Sequence, residues 1–273
     1  TQKITKAMQV VAATKLRRAQ QAVQATRPYS EKMLEVLGTT AERATEYQHP
    51  FLVRREGKKA VVILVTPDKG LAGAISSNTI RAAMRHVQTE SLDARWVTIG
   101  RKGNQFLGRF RRPVIAEAAG LGDRPHISTI LPAVSVALDE YRNGETDQVL
   151  LVFPRWISTM RQEPEVRTLV PITIPEREAG KPPAADYIYE PGPEEVLDAL
   201  LPRYVETQTY QAVLETQASF YSAQMIAMQN ATNAAGDFIK ALTLTANKVR
   251  QSTITTELME IVSGAEALRS SSL

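Results

Sequence analysis

No cysteine occurs among the 273 residues, which excludes disulfide scaffolds, thiolate metal sites, cysteine nucleophiles and thiol switches. Aromatic residues make up only 6%, a share that points to long helices rather than a β-rich barrel or sandwich. The longest unbroken aliphatic run, Ala60 to Val65, falls far short of the ~20 residues a membrane helix needs. No basic-then-apolar leader opens the sequence, so no signal peptide is expected and the chain reads as soluble and intracellular. Proline is absent after Pro202, and Gly236 is the only glycine between there and Gly264. What is present is ordinary. Apolar residues at 43% and charged residues at 23% describe a globular chain rather than a disordered or low-complexity one. At roughly 150 residues per domain, the length fits one large or two modest domains.

The formal net charge of +4 is unevenly spread. Thr1 to Lys32 carries seven basic residues against one acidic, and Glu194 to Leu273 five against nine. Such a contrast suits either a nucleic-acid arm or two segments that lie against each other. The basic residues have no interleaved aromatics and no recognised motif, and both ends read as helix. Mutual packing is therefore expected, and no nucleic-acid partner.

Ile4, Met8, Ala12, Leu16, Ala19 and Val23 recur at three- and four-residue spacing, one apolar stripe on a helix. The sequence opens inside this pattern, so further residues upstream of Thr1 are expected. Pro28 should kink the helix or end its first section, because it removes a backbone donor and restricts Arg27. Periodicity then resumes toward Ala44. From Lys58 the character changes. KKAVVILVT reads as a buried strand, Leu71 to Val87 as a helix, Ala94 to Ile99 as a strand and the stretch after Gly103 as a short helix. A helix over Ser128 to Tyr141, a strand over Gln148 to Phe153 and another over Glu165 to Ile174 follow. Alternation of this kind predicts a small Rossmann-like α/β domain with a largely parallel sheet. Pro175, Pro182, Pro183, Pro191 and Pro193 mark a long loop out of it.

Past Pro202 a helical apolar stripe continues through Ile261 and Val262. A helix of ~65 residues would be roughly 100 Å long, well beyond a domain whose radius of gyration should be about 14 Å. A pattern that long implies a coiled coil, with the N-terminal helix as partner. Within it, Thr216 to Gly236 holds no charged residue, yet nine of its 21 residues are Gln, Asn, Ser or Thr. That is too polar for a membrane span, and a partner is expected to cover it.

Sites of chemistry are sparse. PDKGLAGAISSN follows the first strand as a phosphate loop would, but matches neither GxGxxG nor GxxxxGK[ST]. Gly70 is expected to give a tight turn and Gly73 to let the helix approach the sheet. Gly100 and Gly103 likewise fail to make a nucleotide site. His49, His86 and His126 lie far apart without a second histidine at i+3 or i+4, so they read as surface or interface residues rather than metal ligands. No GxSxG, HExxH or paired-carboxylate pattern occurs. Neither catalytic residues, nor a metal, nor a cofactor is expected.

The segment Ile254 to Leu268, ITTELMEIVSGAEAL, resembles the C-terminal signature I-T-x-E-x-x-E-x-x-x-G-A of the gamma subunit of F-type ATP synthases, at Ile254, Thr255, Glu257, Glu260, Gly264 and Ala265. The opening TQKITKAMQVVAATKLRRAQ is similar to the same family. So are Arg27-Pro28-Tyr29, Asp68-Lys69-Gly70-Leu71, Tyr189-Glu190-Pro191, Leu201 to Glu206, Asn230-Ala231-Thr232 and Asn247 to Gln251. The resemblance covers essentially the whole chain. It implies an antiparallel coiled coil of the two terminal helices (residues 1–55 and 191–273) and an α/β foot (residues 56–190). The coiled coil would thread an alpha3beta3 hexamer of alpha and beta subunits. The foot would rest on the membrane c-ring and meet the epsilon subunit, at the cytoplasmic face of a bacterial plasma membrane.

The resemblance places Met8, Arg250, Gln251, Thr255, Glu257 and Glu260 on the surfaces that meet the beta subunit, and Tyr187, Tyr189 and Glu190 near the ring and epsilon. ATP chemistry belongs to the beta subunits, so no small-molecule substrate is expected. The competing readings are a nucleotide-dependent α/β enzyme using the Gly70 turn and a coiled-coil adaptor. Departures are Phe220, Gln224 and Gln229, where many relatives carry a glutamate, an arginine and a lysine. The cysteine-bearing insert of the redox-regulated chloroplast form is missing too.

Overall fold

The computed structural model describes residues 1–44, 47, 49–174 and 190–271. The chain divides into two compact units, Gln9–Ala227 and Thr1–Met8 with Met228–Leu273.

In the larger unit, five strands form one sheet in the order β3-β2-β1-β4-β5. β1 (Lys59–Val65) is its centre, and every residue after Lys59 is buried, as an unbroken aliphatic run requires when both faces are covered. It pairs in parallel with β2 (Asp93–Ile99) and with β4 (Gln148–Trp156), Val62 standing opposite Trp96 and Leu150. β5 (Gln162–Val170) turns back antiparallel on β4, and the hairpin closes at Trp156 and Gln162. The sheet is largely parallel, as expected. β3 (Val114–Ala118), parallel to β2, was not foreseen. It is a five-residue edge strand with a single buried position, so its sequence carries almost no alternation.

Alternate residues along the strands face opposite sides. Val61, Ile63, Val65, Val97, Val149 and Leu151 pack with α4 (Ile127–Arg142) and with Leu37, Leu197, Leu201 and Val205 of the two terminal helices. Val62, Leu64, Trp96, Leu150 and Val152 pack with α2 (Ile75–Thr89) and α3 (Arg101–Arg109).

Within this unit α1 (Gln2–Arg43) and α5 (Pro193–Ser271) lie antiparallel, Ser30 meeting Gln211 and Lys15 meeting Tyr221. Ala12, Leu16, Ala19 and Val23 are buried, as their spacing predicts. Ile4, placed on the same stripe, is exposed in the smaller unit. There the contact runs through Thr5, whose hydroxyl accepts from Thr232 at 2.8 Å.

Proline proved a weaker boundary than expected. α1 runs through Pro28, and α5 begins at Pro193 and continues past Pro202. An interior proline costs about 3 kcal/mol, but Leu197, Leu201 and Val205 are fully buried on both sides of Pro202. Each such side chain contributes roughly 1.5–3 kcal/mol, so packing wins. α2 starts four residues later than expected, because Leu71 and Gly73 both have positive φ, 62° and 58°. That also corrects the role of Gly73. A Cβ there would meet nothing within 4 Å, so the residue supplies backbone conformation rather than close approach. Close approach belongs to Gly103, where a Cβ would lie 3.1 Å from Leu64 Cδ2 and Thr66 Oγ1.

His49 is buried, not a surface residue. Its Nδ1 accepts from the Phe51 N–H at 3.0 Å, which leaves the proton on Nε2, 3.6 Å from Asp198. Burial pushes its pKa below the ordinary 6.5, with Arg142 acting in the same direction and Asp198 opposing. A depressed folded value means the unfolded chain takes up the proton first. This contribution to stability is therefore full above pH 6.5 and is lost as pH falls from there toward the folded value. Urea unfolding at pH 7.5 and 5.5 should show it, and His49→Gln should flatten that part of the profile.

Candidate functional site

A parallel α/β sheet presents its ligand crevice at the carboxyl ends of the strands. Here that crest is lined by Thr66, Pro67, Asp68, Lys69, Arg101 and residues 120–123, around a cavity of 170 Å³. Its anion-binding donors are already engaged. Asp68 Oδ1 accepts from the N–H groups of Arg101 at 3.0 Å and Gly120 at 3.4 Å, and Oδ2 from Leu121 at 3.0 Å. The Arg101 side chain stands 3.7 Å away. The chain's own carboxylate thus sits where successive backbone N–H groups would otherwise cradle a phosphate. Among the described residues no group of three His, Cys, Asp or Glu could hold a metal ion.

Beside the crest, the loop after β3 is fastened to both long helices. On α5, Tyr210 donates to the Pro125 carbonyl at 3.1 Å, Gln217 to the Gly122 carbonyl at 2.9 Å and Tyr221 to Asp123 Oδ1 at 2.8 Å. From α1, Lys15 reaches Asp123 Oδ2 at 2.6 Å, and Lys69 stands 3.6 Å from the other oxygen. Hydrogen bonds from Lys15 and Tyr221 hold the Asp123 carboxyl below its usual pKa, while burial and the Asp123 carboxylate push the Tyr221 hydroxyl up.

A second fastening joins α5 to the β4–β5 hairpin. Ser219 donates to the Pro154 carbonyl at 2.9 Å, the Trp156 indole to Ser222 Oγ at 3.1 Å, and the Trp156 N–H to the buried Glu215 at 3.3 Å. These bonds account for the first part of the uncharged run. From Thr216 to Ser222 it is covered by the chain's own α/β elements rather than by a partner, and small hydroxyls let the helix sit close to the hairpin. Phe220 packs there with Leu16, Ala72 and Ile75. None of Lys15, Asp123, Trp156 and Tyr221 stood out in the sequence as a site. The uncharged run was the one legible sign.

In the smaller unit, residues 237–270 of α5 are exposed throughout. Met8 is half-buried, and Arg250, Gln251, Thr255, Glu257 and Glu260 are exposed. Arg250, Glu257 and Glu260 have no ion pair or hydrogen bond through their side chains to described residues. At about 100° per residue, Arg250, Glu257 and Glu260 share one face, and Gln251 and Thr255 another. Ile254, Leu258 and Ile261, all exposed, form an apolar band between those faces. The threonine hydroxyls are directed inward. Thr243, Thr245, Thr253, Thr255 and Thr256 each donate to the carbonyl four residues back, at 2.8–3.1 Å. Of the residues assigned to the foot contact, Glu190 is exposed, and Tyr187 and Tyr189 lie outside the described residues.

Comparison with known proteins identifies the family. The family model described as ATP synthase matches residues 1–268. The ATP synthase gamma chain of Ralstonia nicotianae is 46% identical over 275 residues, covering 98% of this chain and 94% of that relative. That of an Acidovorax species is 46% identical over 272 residues, with the same coverage. Among solved structures, a central-stalk chain of the Tetrahymena thermophila mitochondrial ATP synthase matches with a TM-score of 0.63 at 21% identity, covering 84% of this chain and 99% of that one. A chain of the Euglena gracilis mitochondrial enzyme matches at 0.59 and 16% identity, covering 96% and 95%. These two share the fold. With nearly half its residues identical to those relatives from end to end, the chain belongs to the ATP synthase gamma chain family.

Proposed function

We propose that this chain is the rotor shaft of the central stalk, coupling ion-driven rotation of a membrane ring to ATP synthesis and hydrolysis on the beta subunits. The observation that carries the reading is 46% identity to gamma chains along 98% of the sequence. In this reading residues 1–55 and 191–273 form the shaft and residues 56–190 the foot. The c-ring and epsilon meet the foot around Tyr187, Tyr189 and Glu190. The alpha3beta3 hexamer surrounds the exposed part of α5, whose apolar band turns inside it. The bonds of Asp123, Tyr221, Ser219 and Trp156 hold shaft to foot while torque passes. No helix among the described residues is long and apolar enough to cross a membrane. The proposed attachment is peripheral, through the ring, at the cytoplasmic face of a bacterial plasma membrane.

The chain itself is non-catalytic in this proposal, and the Asp68 contacts support that. Calorimetric titration of the isolated chain with ATP should give no saturable binding at the crest. Co-expression with alpha and beta subunits should yield a hexamer that retains the chain through purification. A nucleotide-dependent enzyme would bind ATP alone, and an adaptor without a rotary role would fail to co-purify with the hexamer. Either result would overturn the proposal.

A further inference from the structure

A cavity of 380 Å³ lies where α1, α5 and the β4–β5 hairpin meet, sharing no lining residue with the crest. Arg27 of α1, Arg155 and Arg167 of the hairpin, and Tyr204, Gln208 and Glu215 of α5 line it. Its hydrogen-bond account is lopsided. The acceptors are engaged. Gln208 Oε1 accepts from Arg167 at 2.7 Å, and the two Glu215 oxygens accept from Gln211 and the Trp156 N–H, each at 3.3 Å. Behind the wall, Glu165 takes Arg167 at 2.6 Å and Arg155 at 3.4 Å.

The donors are not all engaged. Arg27 has no hydrogen bond or ion pair with a described residue, nor has the Tyr204 hydroxyl a partner, and Arg155 makes only its one long contact. Three guanidinium groups face two carboxylates, so the cavity keeps a net positive charge and spare N–H and O–H donors. The groups left over call for an acceptor-rich anion. Arginine's planar fork matches a tetrahedral oxyanion two oxygens at a time. Leu34 is the only aliphatic side chain in the lining, so a nucleoside base finds no apolar slot.

We propose that this cavity binds a small, doubly charged oxyanion of the phosphate class, held by Arg27, Arg155 and the Tyr204 hydroxyl. Bound there, it bridges α1, α5 and the hairpin. The full chain is titrated with sodium phosphate by calorimetry and thermal melting, against sodium chloride at matched ionic strength. Saturable binding and a melting point that climbs with phosphate are expected, since a ligand of the folded state stabilises by mass action. Arg27→Gln should weaken binding about 10- to 100-fold, the size of one lost charge-assisted contact. Tyr204→Phe should weaken it less, and Arg81→Gln, on the exposed face of α2, not at all. Phosphate that acts no differently from chloride would overturn the proposal. So would binding that survives in Arg27→Gln, or ADP displacing phosphate at lower concentration than phosphate itself requires. None of these readouts involves the alpha or beta subunits, so they stand or fall apart from the rotor assignment.

Discussion

Gly100→Ala is expected to cost about 4 kcal/mol or more of folding stability, a large share of the 5–15 kcal/mol typical of a domain. A Cβ at this position would lie 1.8 Å from the Thr66 carbonyl oxygen, and backbone cannot swing aside as a flexible side chain can. The residue also has φ 95° and ψ 147°, a region essentially closed to side chains. The site is a stitch between three strands. The Thr66 N–H donates to the Ile99 carbonyl at 2.8 Å and the Gly100 N–H to the Ala118 carbonyl at 2.7 Å. Any shift that relieves the clash therefore loosens the carboxyl ends of β1, β2 and β3 together. Gly73→Ala is the internal comparison. It has positive φ but open space around it, so it should cost only about 1 kcal/mol. Urea midpoints of the two variants should differ accordingly, and equal midpoints would show that the contact with Thr66 is not what requires glycine.

Arg250→Ala should lower coupled ATP turnover several-fold while the complex still assembles. In the proposed function, a contact of the shaft must form and break as each beta subunit comes round. An exposed ion pair is worth roughly 0.2–1 kcal/mol, whereas breaking a buried pair costs about 3–5 kcal/mol and would pin the shaft. Arg250 is exposed and its side chain has no partner among the described residues, which suits the weak, wet, directional contact proposed for it. Met8→Lys should impair coupling from the opposite side, by adding a charge that finds a partner on beta and must be pulled off at every step. Proton pumping and ATP hydrolysis measured together in membrane vesicles separate loss of coupling from loss of assembly. Unchanged pumping-to-hydrolysis ratios and rates in both variants would remove these residues from the mechanism.

The central strands were legible because β1 is buried on both faces and its sequence is aliphatic without interruption. The long helix was legible because its stripe persists for tens of residues. β3 was not, being short and half-exposed. The passage of α1 and α5 through Pro28 and Pro202 was equally hidden, because it depends on burial of residues such as Leu197 and Leu201 against a sheet distant in sequence. His49 misled for a related reason. Burial and the hydrogen bond from the Phe51 N–H are tertiary facts with no local motif. The fastening of the long helices to the α/β elements relies on pairs far apart in the chain, Lys15 with Asp123 and Trp156 with Ser222, which only folding brings together. The family motifs, by contrast, name Arg250 and Glu257 directly, and helical spacing alone then assigns them to a common face.

The five threonines between residues 243 and 256 bear on how the exposed part of α5 yields under load. Each hydroxyl shares a carbonyl with the helix's own backbone ladder. Such sharing slightly destabilises a helix and favours local bending. Five of these sites within about four turns lower the bending modulus of that segment relative to an alanine-rich rod. A spring of this kind smooths an uneven drive. If the chain turns as proposed, torque entering one end of such a segment is held briefly as bending strain before it reaches the other. Arg250 and Glu257 sit within or beside that segment, so any contact they make with a partner is carried on the part of the helix best able to give.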